Sequence, residues 1–161
     1  METPVGPFLV GGDGRSLSVA SFAVGRQHRR PEAGWKEDAG AVRFAVEQLE
    51  QYFARERTEF DLPLKIDGTP FQKEVWEVLR SIPFGETRSY GQVARAIGRA
   101  NAFRAVGAAN GANVLPIIIP CHRVVGSDGT LTGFGGGLDA KRWLLEFEGA
   151  APTRRQTPLF E

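Results

Sequence analysis

The chain contains a single cysteine, Cys121, and the two residues that follow it are His122 and Arg123. One thiol cannot form an intramolecular disulfide or supply a zinc site built from several cysteines, so it is either inert core filling or a nucleophile. The thiolate is the reactive form, and a nearby imidazole or cation lowers a thiol pKa from about 8.5 to between roughly 3.5 and 7.5. The neighbours of Cys121 therefore favour a nucleophile, and we expect no metal site.

Positive charge is concentrated around this cysteine, although the net charge of the chain is only +1. No Asp or Glu occurs between Thr87 and Ser127, and this window contains five arginines (Arg88, Arg95, Arg99, Arg104 and Arg123). A local basic face is what phosphate binding requires. Five solvated arginines would give the same pattern, and charge alone leaves both interpretations open.

Length and composition indicate a globular protein of one or two small domains. The chain has 161 residues, of which 42% are hydrophobic and 24% charged, close to globular averages. No apolar stretch reaches the roughly 18 residues that a membrane span needs, and the start of the chain lacks the pattern of a secretory signal. Together with the single cysteine, these features predict a cytoplasmic protein.

Residues 1–67 predict a small N-terminal α/β domain of strands plus one helix. A short apolar run before Gly11 and Gly12, followed by alternation over 16–24, predicts a β-hairpin. Helical spacing of apolar residues over 41–54 predicts an amphipathic helix. An extended segment then leads to Asp67 and Gly68, where we place the boundary with a second domain of residues 68–161.

Two capping boxes mark helix starts in this second domain, which is predicted to be mainly helical. Thr69 pairs with Gln72, and Ser89 pairs with Gln92. In each box the hydroxyl and the glutamine side chain satisfy backbone amides at the helix N-terminus. The first helix should end near Ser81 and the second at Gly98, a residue type that commonly terminates helices.

A third helix is predicted from Ala102 to about Ala109, with Asn101 as its cap. Two short helices joined by a glycine-containing turn are the pattern of a helix-turn-helix. Small residues leave this helix almost bare apart from Phe103 and Arg104. A bare helix can approach another backbone closely, and packing inside the protein core remains the alternative to DNA binding.

The remaining segments surround the cysteine. An apolar run over 114–119 is expected to be buried and to lead to Pro120 and Cys121. Residues 124–131 predict a hairpin that would form a wing, and 132–137 form a glycine-rich loop without the lysine of a phosphate-binding motif. Asp139 is expected to cap a last helix that ends at Gly149.

Five segments in register resemble the O6-alkylguanine-DNA alkyltransferases of the bacterial single-protein type. They are Phe71-Gln72-x-x-Val75-Trp76, Ser89-Tyr90, Arg104-Ala105-Val106-Gly107, Pro120-Cys121-His122-Arg123-Val124 and Gly135-Gly136-Gly137-Leu138 with Lys141 and Leu144-Leu145. The resemblance is specific from about 69 to 149 and implies an α+β fold. It implies a repair protein that transfers an alkyl group from DNA to its own cysteine once.

The resemblance also implies the roles of five catalytic residues. Cys121 accepts the alkyl group, and His122 removes the thiol proton through a water molecule. Glu148 is a buried carboxylate that orients His122, in the logic of a catalytic triad. Tyr90 donates a proton or hydrogen bond to the departing base. Asn113 braces the turn before the strand that carries Cys121.

The partner implied by the resemblance is duplex DNA containing an alkylated guanine, bound through the helix-turn-helix after the base is flipped out. Arg104 would fill the gap in the base stack, and small side chains would let its helix approach the minor groove. The residues assigned to DNA binding are Arg104, Ala105, Ala108, Tyr90, Ser89 and Arg123. No cofactor is expected, and the protein is expected to be a monomer, with cooperative assembly on DNA left open.

The pocket for the base is assigned to Val124, Phe134, Gly135, Gly136 and Lys141. The chain has Val114 where many members have proline, Phe134 where tyrosine is frequent, and Gly135 where some have serine. The missing polar groups and the glycines predict a roomier pocket that tolerates larger alkyl groups. O4-alkylthymine is an expected second substrate.

Two other functions fit parts of the pattern. A cysteine hydrolase also uses cysteine, histidine and a carboxylate, but its histidine usually lies far along the chain. A lesion-binding protein without transfer activity would share most of these motifs, but such proteins replace the reactive cysteine. The presence of Cys121 favours transfer.

Overall fold

The computed structural model describes residues 1–23, 30–131, 134, 136–150 and 154–155, the last two as backbone only. It is an α+β fold in which the two longest strands come early and four of the five helices late, as predicted. The elements in chain order are β1 (Glu2–Thr3), β2 (Gly6–Gly12), β3 (Leu17–Phe22), α1 (Arg43–Phe53), α2 (Pro70–Arg80), β4 (Arg88–Ser89), α3 (Tyr90–Ala96), α4 (Phe103–Gly111), a 3-10 turn (Cys121–Arg123), β5 (Val124–Val125), β6 (Thr130–Leu131), α5 (Leu138–Phe147) and β7 (Arg154–Arg155).

The predicted hairpin is confirmed as β2 and β3, and β1 adds a strand that the sequence did not reveal. The three strands form an antiparallel sheet in the order β1-β2-β3. Phe8 pairs with Phe22 and Val10 with Ala20. Nearly all of β3 is buried, because this strand also contacts the rest of the chain.

Backbone hydrogen bonds connect β3 to the extended segment at 63–65 and to Val114, in the apolar run before Cys121. Leu17 donates to the Pro63 carbonyl over 2.8 Å and accepts from the Lys65 amide over 2.9 Å. Ala20 donates to the Val114 carbonyl over 2.9 Å. The N-terminal sheet therefore holds the segment that leads to Cys121.

Both predicted capping boxes are present. The Thr69 hydroxyl accepts from the Gln72 amide over 3.1 Å while the Gln72 side chain accepts from the Thr69 amide over 3.0 Å. Ser89 and Gln92 repeat this arrangement at the start of α3, at 3.1 Å and 2.8 Å. Helix α2 then buries Trp76, whose indole nitrogen donates to the Ala109 carbonyl of α4 over 2.8 Å.

We expect Thr69→Ala to lower the free energy of unfolding by about 1 kcal/mol, since it removes one cap of an exposed helix start. The rest of α2 stays packed, so activity at 25 °C should be unchanged. Urea unfolding measures the loss, and Thr69→Ser is the control because it keeps the hydroxyl. An alanine variant as stable as the serine variant would contradict the cap's contribution.

Helices α3 and α4 form the predicted helix-turn-helix, but Asn101 does not cap α4. Gly98 has a φ of 73°, and its amide and that of Arg99 bond back to the Arg95 and Ala94 carbonyls over 2.9 Å each. This is a Schellman ending, which requires a left-handed residue. Helix α4 begins one residue later than predicted, with Ala102 at the N-cap and no side-chain cap.

The segment after the apolar run is a 3-10 turn rather than a strand, since Arg123 donates to the Pro120 carbonyl over 3.0 Å. The prediction of a hairpin over 124–131 is wrong, because β5 and β6 do not pair with each other. A turn is present, closed by the Gly126 amide on the Thr130 carbonyl at 2.8 Å. However, β5 pairs in parallel with β4, and β6 pairs in parallel with β7.

The last helix ends as predicted but starts differently. Gly137, with a φ of 93°, occupies its N-cap and Asp139 lies in the first turn, where its charge suits the helix dipole without capping. At the other end, Gly149 has a φ of 71°. Its amide and that of Ala150 donate to the Glu146 and Leu145 carbonyls over 3.0 Å each. This second Schellman ending fixes Glu148 as the C-cap residue.

A single large cluster of buried apolar side chains includes residues of both the N-terminal sheet and the C-terminal helices. Phe8, Leu49, Trp76 and Ile119 are each at most 2% exposed. No helix among the described residues is long and apolar enough to cross a membrane. The segment that carries Cys121 therefore packs against a core to which both parts of the chain contribute.

Candidate active site

Cys121 opens the 3-10 turn and is 4% exposed. Two asparagines hold the segment that carries it: Asn110 donates to the Cys121 carbonyl over 3.3 Å, and Asn113 donates to the Ile119 carbonyl over 2.7 Å. Ile117, which lies between Asn113 and Cys121 in the chain, has a φ of 73°, which is strained for a β-branched residue. The predicted brace at Asn113 is thus in contact with this segment, and Asn110 adds a brace that sequence reasoning missed.

Burial raises the pKa of the Cys121 thiol above its ordinary value, because a thiolate loses solvation in the interior. The Asn113 side chain, the positive charge of Lys141 and the amides of Cys121 and His122 oppose this effect and favour the thiolate. The thiol is therefore protonated at neutral pH and needs a base to become a nucleophile. The surrounding donors are placed to stabilise the anion once it forms.

The side chain of His122 is completely buried, and its Nε2 lies 2.8 Å from Oε1 of Glu148. Burial lowers the pKa of His122, and the Glu148 carboxylate only partly opposes this effect. A neutral imidazole facing an ionised carboxylate must carry its proton on Nε2. Nδ1 then has a free lone pair, and it has no hydrogen-bond partner among the described residues.

The Glu148 carboxylate is ionised. Burial alone would raise its pKa, but the contacts with His122 and Arg123 outweigh burial and hold the pKa well below its usual range. Arg123 donates from Nη2 to Oε1 over 2.7 Å and from Nε to Oε2 over 2.9 Å. Such a two-point pair fixes the carboxylate plane as well as its charge.

Arg123 was assigned to DNA binding, and the structure corrects this assignment. The residue is 5% exposed, and its third contact is a hydrogen bond from Nη1 to the Ile82 carbonyl over 2.7 Å. A guanidinium committed to an internal carboxylate and a buried carbonyl cannot reach a phosphate. Its partner Glu148 lies 25 positions away in the chain, so the basic window around Cys121 concealed an internal ion pair.

A fourth contact of Glu148 comes from the N-terminal half. Tyr52, in α1, is 0% exposed and donates from its hydroxyl to Oε1 of Glu148 over 2.7 Å. Burial and the neighbouring carboxylate raise the pKa of Tyr52 far above its usual value, so the hydroxyl remains a donor. Sequence reasoning placed Tyr52 only on an apolar helix face, since the two residues are 96 positions apart.

A second charged group near the thiol is Lys141, which contacts Val124. Lys141 is 0% exposed, and its Nζ donates to the Val124 carbonyl over 2.6 Å. Burial lowers the pKa of Lys141 to about 8, while a negative Cys121 would raise it. Both residues were assigned to the pocket, and the structure places the Lys141 charge where it acts on Cys121.

Two described residues of the glycine-rich loop rest on the N-terminal sheet. The Phe134 ring packs edge-on against Phe22, with centroids 5.4 Å apart. A Cβ at Gly136 would lie only 2.6 Å from the Phe22 ring, so this contact requires glycine. Gly135 lies outside the described residues.

Tyr90 is the first residue of α3, immediately after the capping Ser89, and is partly buried. Its ring faces Gly107 of α4, where a Cβ would stand 3.8 Å from the ring carbons. The capping box therefore places Tyr90 at the start of α3, with its ring beside α4 of the helix-turn-helix.

The outer face of α4 is exposed and consists of small side chains around one cation. Arg104, Ala105 and Ala108 all face solvent, whereas Val106 and Ala109 are buried. Phe103 is 50% exposed. This face is sterically open for close approach to a groove, and the core-packing alternative applies only to the inner face.

No group of three His, Cys, Asp or Glu side chains suited to a metal ion occurs in the part of the chain that the structure describes. The site offers a buried thiol, an imidazole held by a carboxylate, and nearby hydrogen-bond donors. Such a set can remove a thiol proton and present a soft nucleophile to an electrophilic carbon.

Two family models cover nearly the whole chain. The 6-O-methylguanine DNA methyltransferase, DNA binding domain, matches residues 70–150. The 6-O-methylguanine DNA methyltransferase, ribonuclease-like domain, matches residues 1–66. The second match covers the part of the chain in which sequence patterns were weakest.

Curated relatives match at nearly full length. The methylated-DNA–protein-cysteine methyltransferase of Methanosarcina acetivorans is 48% identical over 149 residues, which cover 92% of this chain and 96% of the relative. That of Mycobacterium tuberculosis is 49% identical over 148 residues, covering 92% and 89%.

The solved structure of Mycobacterium tuberculosis OGT in complex with DNA has the same fold, with a TM-score of 0.87 at 49% identity. It covers 92% of this chain and 90% of that one. The chain belongs to the 6-O-methylguanine DNA methyltransferase family, and it is a DNA repair enzyme that transfers an alkyl group from DNA to a protein cysteine.

Proposed function

We propose that the protein repairs O6-alkylguanine in duplex DNA by moving the alkyl group onto Sγ of Cys121, once per molecule. The observation that carries this proposal is the buried pair of His122 and Glu148, 2.8 Å apart, in which His122 directly follows the only cysteine of the chain. The thioether product has no leaving group that this site could expel, so the cysteine is not regenerated. The proposed reaction requires no cofactor.

The proton of the thiol leaves through His122. Glu148 holds the imidazole with Nε2 protonated, which leaves Nδ1 as the basic atom. A water molecule between Sγ and Nδ1 would carry the proton from one to the other, as general-base catalysis permits. The growing charge on sulfur is then stabilised by Lys141 and by the side chain of Asn113.

The transfer itself is a displacement at the alkyl carbon. The Sγ lone pair forms the new carbon–sulfur bond while the bond from that carbon to O6 of guanine breaks, and its electron pair passes to the base. Tyr90 donates a hydrogen bond or proton to the base ring, which makes the base a better leaving group. The base takes up one proton on its ring, from Tyr90 or from water, and the thiol proton leaves His122 to solvent, so the product is unmodified guanine in DNA.

The base reaches the buried thiol by leaving the duplex. Arg104 stands on the exposed face of α4, and the small Ala105 and Ala108 allow that face to enter the minor groove. We propose that Arg104 occupies the gap left by the flipped nucleotide. Base flipping requires a few kcal/mol, and a filled gap slows the return of the base.

We expect Arg104→Ala to slow transfer from duplex DNA by about 10- to 100-fold, because a few kcal/mol of flipping energy is no longer compensated. Transfer from the free base O6-benzylguanine, which needs no flipping, should be unchanged. Single-turnover rates on both substrates measure this split. Arg43→Ala, at an exposed arginine of α1 paired with Glu47, is the control, and an equal loss on both substrates would contradict the role of Arg104.

The proposed function is tested by mass spectrometry of the protein after reaction. The protein is incubated with an excess of duplex containing one O6-methylguanine, one O4-methylthymine or no lesion, and is then digested. A mass gain of one methylene on the Cys121 peptide, with guanine restored and no second turnover, is the expected result for O6-methylguanine, and a slower gain for O4-methylthymine. Tight lesion binding without any mass gain would instead place the chain among lesion-binding proteins.

A further inference from the structure

At Glu148 a side chain of the N-terminal half makes a polar contact with the half that carries Cys121. Its Oε1 receives three groups: Tyr52 Oη at 2.7 Å, Arg123 Nη2 at 2.7 Å and His122 Nε2 at 2.8 Å. The His122 and Arg123 contacts come from the same half as Cys121. The Tyr52 hydroxyl comes from α1, in the half for which no chemistry was predicted.

We propose that Tyr52 is a positioning residue of the transfer reaction, through which the N-terminal half controls the basicity of His122 by donating a hydrogen bond to Glu148. The inference deepens the proposed function and rests on it. Tyr52 does not touch the substrate or the reacting sulfur. It acts by withdrawing charge from the same oxygen that polarises the imidazole.

The geometry gives this hydroxyl few alternatives. Tyr52 is 0% exposed, and its ring is enclosed by the rings of Phe53, Phe60, Phe84 and Phe147, with centroids 5.0 to 6.0 Å away. An aromatic enclosure of this kind fixes the orientation of the ring, so the hydroxyl is held in position to donate to Glu148. A purely structural tyrosine would not need its oxygen on the catalytic carboxylate.

The electrostatic consequence has a definite sign. A carboxylate oxygen that accepts a hydrogen bond from Tyr52 carries less charge toward its other partners. Removing that donor leaves Glu148 more strongly negative toward Nε2, which favours the protonated form of His122. The charged or titratable groups that act on Tyr52 and His122 are Glu148, Arg123, Arg55 and Lys141, and only the first is an anion.

Tyr52→Phe tests the inference because it removes one oxygen and keeps the enclosed ring. We expect the pKa of His122 to rise by about 0.5 to 1 unit. The reason is that losing one hydrogen bond to the charged Glu148 carboxylate changes the free energy of protonating the imidazole by about that amount. The acid limb of the transfer rate against pH should move up by the same amount. A tyrosine that served only for packing would shift neither quantity.

Two measurements keep the outcomes separate. The chain has only two histidines, His28 and His122, so a His28→Gln background gives one imidazole signal in nitrogen-15 NMR, whose titration needs no DNA. The control is Leu49→Val, which removes a buried methylene from the same helix without touching Glu148. It should lower stability and leave both pH curves in place.

An unchanged His122 titration and rate profile in Tyr52→Phe, with stability lowered as in Leu49→Val, would overturn the inference. A shift in the NMR titration accompanied by the same shift in the rate profile supports it. If the wild-type protein transferred no alkyl group at all, the proposed function would fail on its own, and the NMR titration would still decide whether Tyr52 acts on His122.

Discussion

Replacing Cys121 by serine should abolish alkyl transfer while leaving lesion binding within about threefold of the wild type. A serine hydroxyl is far less acidic than a thiol, and the buried site offers only a neutral imidazole to deprotonate it. We expect the single-turnover rate on an O6-methylguanine duplex to fall by at least about 1,000-fold. The change replaces one sulfur atom by oxygen in a buried side chain and leaves the exposed face of α4 intact.

Rapid-quench kinetics and fluorescence anisotropy on the same duplex measure the two quantities. Asn110→Asp is not a suitable control, because it would place a charge beside the buried carbonyl of Cys121. Ser127→Ala is preferable, since Ser127 is exposed on the turn after β5. Methylation of any other residue in the serine variant would contradict the assignment of Cys121 as the acceptor.

Glu148→Gln should destabilise the protein by about 3 to 5 kcal/mol, the range found when one partner of a buried ion pair is removed. The amide keeps the size of the side chain but leaves the Arg123 guanidinium buried without its counter-charge. His122 also loses the carboxylate that fixes its Nε2 proton, so the transfer rate should fall by about 100-fold. Urea unfolding and single-turnover rates measure the two effects.

Glu146→Gln is the matched control, because Glu146 lies in the last turn of the same helix but is exposed. A surface change of this kind usually alters stability by at most about 0.5 kcal/mol. Equal losses in the two variants would contradict the role of the buried pair.

The stability difference between wild type and Glu148→Gln should also depend on pH. The pKa of Glu148 is lower in the folded protein than the ordinary value of 4.5. A group of this kind contributes its full stabilisation above that ordinary value and loses it as the pH falls toward the folded pKa. The difference should therefore be constant near neutral pH and shrink below pH 4.5.

Local sequence signals predicted the helices that begin with capping boxes. Thr69 with Gln72 and Ser89 with Gln92 satisfy backbone amides within one turn, so nothing distant decides them. Asn101 and Asp139 failed as caps because capping also needs the right backbone conformation. Ala102 and Gly137 took the N-cap positions instead.

The candidate site was predictable as far as its residues lie in one segment or one motif. Cys121, His122 and Glu148 were named from the sequence, and the structure brings the imidazole and carboxylate to 2.8 Å. The assignment of Arg123 to DNA failed because a sequence shows charge but not the partner that neutralises it. The hydroxyl of Tyr52 was missed because only the fold brings it across 96 positions to Glu148.

The packing of Phe22 against Phe134 and Gly136 limits how freely the two halves of such proteins can be exchanged. A chimera joined near residue 67 would pair a foreign sheet with this loop, and the close contact of Gly136 with the Phe22 ring would be lost or altered. Transplanting the catalytic half alone would transfer the nucleophile without the Phe22 ring that packs against its glycine-rich loop. A functional graft would have to bring a matching ring at position 22 together with the loop.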